Sequence, residues 1–198
     1  MITAAILLAA GPLDQALELP ATLAWTGGDT LVEYQVAQLQ AAGVDVIEVV
    51  LGADANRIIP LVARNDVEPI IDPRWREGIA ASVRVGATAV PRDTDTAIIV
   101  EVEQPRPADA YRRLLDEHRA HSAVITRPAF EGMPGTPIVV NRGVLAEARN
   151  LHDALGLEAL AVRHAHEIHD VPFDNDLVLL EIRSAEDYER ARRMFGFA

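Results

Sequence analysis

The chain has 198 residues, with 30 acidic against 18 basic side chains and a formal net charge of −12. Every basic residue is Arg, Lys and Cys are absent, and residues 1–56 contain no Arg, Lys or His. These counts exclude a basic footprint for nucleic acid or an anionic membrane surface, a P-loop or Schiff-base lysine, disulfides, thiolate metal sites and a cysteine nucleophile.

The N-terminal run MITAAILLAAG is apolar but short, lacks a basic leader, and meets Pro12 and Asp14. It reads as a buried strand rather than a signal peptide or a membrane span, which implies a cytoplasmic location. Apolar runs then alternate with amphipathic helical patterns, the signature of an α/β protein with a mostly parallel sheet. The first strand, Ala4–Leu8, is continuously apolar, as both-face burial requires. A loop of about twenty residues follows from Gly11 to Asp29, and loops of that length inside a compact domain are often functional. Thr30 and Glu33 form a capping box that opens a helix closed by Gly43.

Val46–Leu51 is the second strand, followed by a helix near 54–65 that Pro60 bends or shortens. Glu68–Asp72 is a third strand. Gly78–Val90 reads as a helix with Ala80, Ala81, Gly86 and Ala87 on one side, suited to close packing on a strand. Ala97–Val102 is the fourth strand, and Pro107 starts a helix over 108–121. Strand signals recur at Ala123–Thr126, Pro137–Val140 and Leu177–Ile182, with helices around 142–149 and 153–161, and Ser184 caps a final charged helix ending near Phe195. The expected organisation is a single domain, 1–198, built as a three-layer α/β/α sandwich.

Several segments stand out together: Leu8-Ala9-Ala10-Gly11, Gly27-Gly28 before Leu31, Asp72-Pro73-Arg74-Trp75-Arg76-Glu77-Gly78-Ile79-Ala80-Ala81-Ser82, and Gln104-Pro105. Pro128 to Gly132, Gly135-Thr136-Pro137 and Ala185-Glu186-Asp187-Tyr188 complete the series. In their order and spacing they resemble the molybdenum cofactor cytidylyltransferases and guanylyltransferases and, more distantly, the sugar-phosphate nucleotidyltransferases. The resemblance covers nearly the whole chain and implies a Rossmann-like nucleotidyltransferase sheet. It also implies in-line attack of a substrate phosphate on the α-phosphate of a nucleoside triphosphate, catalysed by positioning and charge neutralisation.

The family's loop carries an Arg and a Lys around the phosphates. Here Gln15 falls at the Arg, and Pro20 or Ala21 at the Lys, with Asp14 and Glu18 close by. Hydrogen bonds from charged donors contribute about 1.5–3 kcal/mol each, whereas a carboxylate facing a phosphate repels it by up to about 4 kcal/mol at an effective dielectric near 20. The same loop, with Leu13, Leu17 and Leu19, is expected to pack down apolar. The family's first metal-binding Asp, before Gln-Pro, is Glu103, with Glu101 on the same strand face. The second is Arg183, which predicts a Glu103–Arg183 salt bridge where Mg²⁺ would sit.

If the site works as a transferase, Glu103, Glu101 and Arg106 are the catalytic candidates, and Glu103 the metal ligand for Mg²⁺. Otherwise no cofactor is expected. The base half of the site is kept: Ala10, Gly11, Gly78 and Ser82 are candidates for holding a nucleotide or another small flat ligand, or persist because the fold needs a tight strand exit. Trp75 belongs to the core or the rim of that pocket.

The expected function is that of a nucleotidyltransferase-fold protein without transferase chemistry that keeps ligand or partner binding. An active Mg²⁺-dependent transferase with a rebuilt site is one alternative. The other is an interaction protein that homodimerises or binds a molybdoenzyme-maturation partner.

Elsewhere, His164 and His166 share a face if their segment is a strand, and such a pair chelates a metal when a third ligand joins it. Solvated imidazoles are the simpler expectation. His118 and His121 are placed at the exposed C-terminal end of their helix, where His favours the dipole. Neither a serine-hydrolase turn nor a dinucleotide fingerprint is present.

Overall fold

A computed structural model describes residues 1–11, 22–63, 65, 67, 69–152 and 155–197. Most of the expected long loop, with Leu13, Asp14, Gln15, Leu17, Glu18, Leu19, Pro20 and Ala21, lies outside the described residues, as does the start of the helix expected from 153.

The strands are β1 (Ile2–Ala9), β2 (Ala24–Thr26), β3 (Asp29–Thr30), β4 (Val46–Leu51), β5 (Pro69–Ile71), β6 (Thr94–Glu101), β7 (Ile125–Phe130), β8 (Met133–Pro134), β9 (Ile138–Asn141) and β10 (Ile168–Pro172). The helices are α1 (Leu31–Ala41), α2 (Ala55–Ala63), α3 (Ile79–Ala89), α4 (Ala108–His121), α5 (Arg142–Ala148), α6 (Leu157–Arg163) and α7 (Ala185–Met194). The main sheet runs β10-β7-β9-β6-β1-β4-β5, with β8 paired to β7. Its strands are parallel except that β9 opposes both of its neighbours and β8 opposes β7.

The continuous apolar run of β1 has a simple cause. Ala5, Leu7 and Ala9 face a core shared with α1, α2, α4 and α7, whereas Ala4, Ile6 and Leu8 face a second core under α3, α5 and α6. With helices on both faces the protein is the three-layer α/β/α sandwich. Thr30 and Glu33 close the expected capping box, with Glu33 Oε2 accepting from Thr30 N at 2.9 Å and from Thr30 Oγ1 at 2.7 Å. Gly43 follows the helix at φ +83°. Pro60 lies inside α2, which ends at Ala63. Gly86 brings α3 against the sheet so closely that a Cβ there would stand 2.3 Å from Ile6 Cγ2.

Three segments differ from expectation, the first being the end of the expected loop, where Ala24–Thr26 and Asp29–Thr30 pair as an antiparallel hairpin. Leu177–Ile182 is not a strand. It is a 3₁₀ turn over Asp176–Leu179 followed by an extended stretch whose Ile182 N donates to Glu103 O at 2.9 Å. The edge strand β10 arises instead from Ile168–Pro172, where alternation is weak. No helix among the described residues is long and apolar enough to cross a membrane.

Candidate functional site

The chain leaves β1 for β4 and β5 on one side and returns to β6 on the other, so the carboxyl ends of β1 and β6 flank a topological switch point. In open α/β sheets that crevice is where ligands bind. A cavity of about 840 Å³ opens there, lined by Leu8, Ala10, Gly11, Trp75, Arg76, Gly78, Ile79, Ser82, Glu101, Glu103, Glu181 and Arg183.

One wall is the segment from Asp72 to Ser82. Asp72 is fully buried and accepts from Arg74 N at 2.8 Å and from Ser82 Oγ at 2.9 Å. Ser82 thereby fastens α3 to the preceding turn while its oxygen borders the cavity. Gly78 enters α3 at φ 106° and ψ 176°, a conformation open essentially to glycine alone. Trp75 is half-buried at the rim. It packs where a Cβ on Gly52 would meet its ring at 2.5 Å, and the Arg76 guanidinium lies 4.2 Å above its ring centroid.

The opposite wall is acidic. Glu101 ends β6 and Glu103 sits in the turn after it, while Glu181 and Arg183 arrive on the C-terminal stretch that Glu103 O receives. Burial pushes the Glu103 carboxyl up to about 8, with repulsion from Glu101 and Glu181 adding to it and Arg183 opposing. Burial likewise raises Glu101 to about 7, with Glu181 adding and Arg183 and the Gln104 side chain opposing. Arg183 therefore does not offset what desolvation and like charge impose. Its ion pair is with Glu181, at 2.7 Å, and not with Glu103, which corrects the expected Glu103–Arg183 bridge. The exposed Arg183 side chain pairs with Glu181, two residues before it on the extended stretch, rather than with the more deeply placed Glu103.

Side chains that the sequence pattern did not place at the site as positioning residues hold this wall. Gln104 Nε2 donates to Glu101 Oε1 at 3.2 Å. Beneath, the buried Gln35 donates to Gln104 O at 3.0 Å and accepts from Tyr111 OH at 2.6 Å. The Ser184 cap of α7 fixes the extended stretch that carries Glu181 and Arg183, since Asp187 Oδ2 accepts from Arg183 N at 3.1 Å and Ser184 Oγ at 2.8 Å.

Arg106 is elsewhere. It does not line the cavity but is fully buried, and it donates to Pro105 O, Thr136 O, Thr136 Oγ1, Val178 O and Leu180 O at 2.8–3.0 Å. Burial lowers its pKa to about 10, so it remains charged at neutral pH. Its guanidinium is consumed by main-chain carbonyls, which removes it from the set of residues able to meet a phosphate.

The histidines are also redistributed. His164 caps α6, and its two ring nitrogens point to Glu167 at 3.1 Å and Glu147 at 3.0 Å, so it cannot pair with His166 around a metal. The Glu167 hydrogen bond raises its pKa against a smaller lowering by burial, with Glu147 reinforcing the rise. A raised folded pKa adds stability that is complete below the ordinary value of 6.5 and lost as pH rises through the folded one. The H164Q variant is expected to lose this contribution, so its deficit in urea denaturation is largest below pH 6.5 and fades as pH rises above it. His118, expected at an exposed helix end, is buried with Nδ1 2.9 Å from Thr126 Oγ1, and burial pushes its pKa down to about 4.

Comparison with known proteins agrees with this geometry. Over 133 residues the chain is 31% identical to the bifunctional protein GlmU of Mycobacterium avium (strain 104), a match spanning 63% of this chain and 27% of that protein. Thus the chain spans about a quarter of that relative's length. Its fold superposes on the crystal structure of Rv0371c from Mycobacterium tuberculosis H37Rv with a TM-score of 0.83 at 22% identity, covering 97% and 98% of the two chains. A nucleotidyl transferase from Methanothermobacter thermautotroptrophicus gives 0.82 at 21% identity over 98% and 97%. A complex of Rv0371c with manganese gives 0.80 at 22% identity over 98% and 99%. The sequence profile of the MobA-like NTP transferase domain matches residues 5–168, and the chain belongs to that family.

Proposed function

We propose that this protein binds a nucleoside or nucleotide through its base in the cavity at the ends of β1 and β6, and that it has lost nucleotidyl transfer. The observation that carries this is the charge of the cavity's inner wall. Glu101, Glu103 and Glu181 face it, Arg183 is paired with Glu181, and Arg76 lies over Trp75. In the segment where the family places its phosphate-binding Arg and Lys, the sequence has neither. The base end is differently built: Ala10 and Gly11 offer main-chain groups at the strand exit, and Gly78 and Ser82 form a smooth second side.

The donor set fits a hard divalent cation, because grouped carboxylates suit Mg²⁺ or Mn²⁺ and a cation would relieve their mutual repulsion. Glu101, Glu103 and Glu181 would hold it, and it would supply neutralising charge to phosphate oxygens. The manganese complex of Rv0371c supports that reading. Gln104 keeps the Glu101 carboxylate aimed, and the Gln35–Tyr111 pair keeps the turn in place. An active transferase with a rebuilt site is the second reading, and the three carboxylates are the feature that favours it. The family resemblance points to cytosine or guanine as the base.

Calorimetric titration of cytidine, CTP, guanosine and GTP, each with and without Mg²⁺, separates the readings. Two charge-assisted contacts to phosphate, at about 1.5–3 kcal/mol each, account for a hundredfold or more in affinity. Without them the better-bound nucleoside and its triphosphate are expected to agree within about tenfold in the absence of metal. A metal-free triphosphate binding more than about a hundredfold tighter than its nucleoside overturns the proposal.

A further inference from the structure

Apart from the cavity, whose lining includes no residue of either element, α4 packs beside the edge strand β10. Glu117 and His121 stand one turn apart on α4, and His169 projects from β10. One carboxylate oxygen joins them. Glu117 Oε2 is 3.1 Å from His169 Nε2 and 3.3 Å from His121 Nδ1. The two imidazoles stack with centroids 4.0 Å apart and 26° between planes. One ligand atom from each of the three residues fits within 4.8 Å of the others.

We propose that Glu117, His121 and His169 form a binding site for a zinc-like divalent cation, separate from the acidic wall of the cavity. Metal bonds of about 2.0–2.1 Å meeting at the tetrahedral angle set neighbouring ligand atoms about 3.3–3.4 Å apart, close to the 3.1 and 3.3 Å from Glu117 Oε2 to the two imidazoles. Two imidazoles and one carboxylate are borderline donors that select Zn²⁺, Ni²⁺ or Cu²⁺ over Mg²⁺ and Ca²⁺. The fourth position faces solvent, because His121 is exposed, and water completes the shell.

In the metal-free protein, His121 Nδ1 also lies 3.0 Å from Glu117 O, so a proton on Nδ1 bridges to the Glu117 oxygens. The cation takes the place of that proton at Nδ1, and the neutral imidazole carries its one proton on Nε2 instead. Rotation of the exposed His121 ring about χ2, a broad torsion for His, turns its lone pair from the stacked position toward the metal. The site ties the last turn of α4 to the outermost strand of the sheet, so occupancy is expected to stabilise that edge.

The test uses the untagged full chain, with Mg²⁺ in excess to fill oxygen-donor sites. Calorimetric titration with Zn²⁺ is expected to show one site with a micromolar dissociation constant. H121A and H169A should each weaken it at least about tenfold. On the unmodified chain, substoichiometric Cu²⁺ should broaden the imidazole NMR signals of His121 and His169 before those of His164 and His166, a readout that needs no variant to fold. Three outcomes overturn the proposal. One is no Zn²⁺ binding below millimolar concentration, another is unchanged affinity in the folded H121A/H169A double variant, and the third is first broadening at His164 and His166.

Discussion

Replacing Arg106 with methionine is expected to lower the unfolding free energy by about 3–5 kcal/mol, the usual cost of removing one partner from a buried charged network. The methionine fills much of the volume but donates nothing. The carbonyls of Pro105, Thr136, Val178 and Leu180 then lose their shared donor, and the Thr136 hydroxyl loses its bond as well. Val178 O keeps its bond from Thr136 N, but each acceptor left stranded costs about 1–3 kcal/mol, of which local relaxation recovers part. R106K is expected to recover little, because an ammonium cannot reproduce the planar fork. Urea denaturation followed by circular dichroism measures the loss. A midpoint in R106M equal to that of the parent protein would show that the guanidinium is not holding the 134–137 and 178–180 segments together.

Gly86→Val is expected to destabilise the protein by about 3 kcal/mol, at the upper end of ordinary overpacking. A Cβ at this position meets Ile6 Cγ2 at 2.3 Å and Val50 Cγ2 at 3.0 Å. Both of those side chains are fully buried at the centre of the sheet and have nowhere to go. Alanine in a helix interior is favoured over glycine by about 1 kcal/mol, yet the clash begins with the Cβ itself, so even G86A gains no stability. Because α3 follows directly on Gly78 and carries Ser82, both of which line the cavity, forcing it off the sheet also widens the cavity. Weaker nucleoside binding should therefore accompany the shifted denaturation midpoint in G86V. An unshifted midpoint would contradict the close contact of α3 with β1 and β4.

What could be read in the residues alone follows from physical chemistry that acts over short distances. The two-faced burial of β1 is written in five consecutive apolar residues, and the start of α1 in the Thr30–Glu33 spacing. The small residues of α3 announced its close approach, and Glu101, Glu103, Ala10, Gly11, Gly78 and Ser82 do border one cavity. The misreadings share a cause, which is a long-range partner invisible in the local pattern. Leu177–Ile182 looks like a strand because Val178, Leu180 and Ile182 alternate inward, but the Arg106 side chain takes the carbonyls a neighbouring strand would have used. Arg106 itself reads as a free cation beside Pro105 until the 136 and 178–180 segments close over it.

His118 carried a signal that was passed over. It stands seven residues after Tyr111 and four after Leu114, on the buried stripe of its helix, so polarity argued for exposure where periodicity argued for burial. Glu181 had the quieter signal of sharing a face with Arg183 two residues on. The grouping of Glu117, His121 and His169 depends on β10 lying beside α4, and no spacing along the chain specifies that.

The most direct measurement is pyrophosphate release from CTP and from GTP at saturating Mg²⁺ or Mn²⁺, with a phosphorylated acceptor present. A carboxylate-lined cavity without a basic phosphate-binding loop predicts no release above the rate in enzyme-free controls, even at nucleotide concentrations where calorimetry shows the site filled. Metal-dependent release at about 1 s⁻¹ or faster, within the ordinary range of enzyme turnover, and abolished in E103Q, would contradict the loss of nucleotidyl transfer.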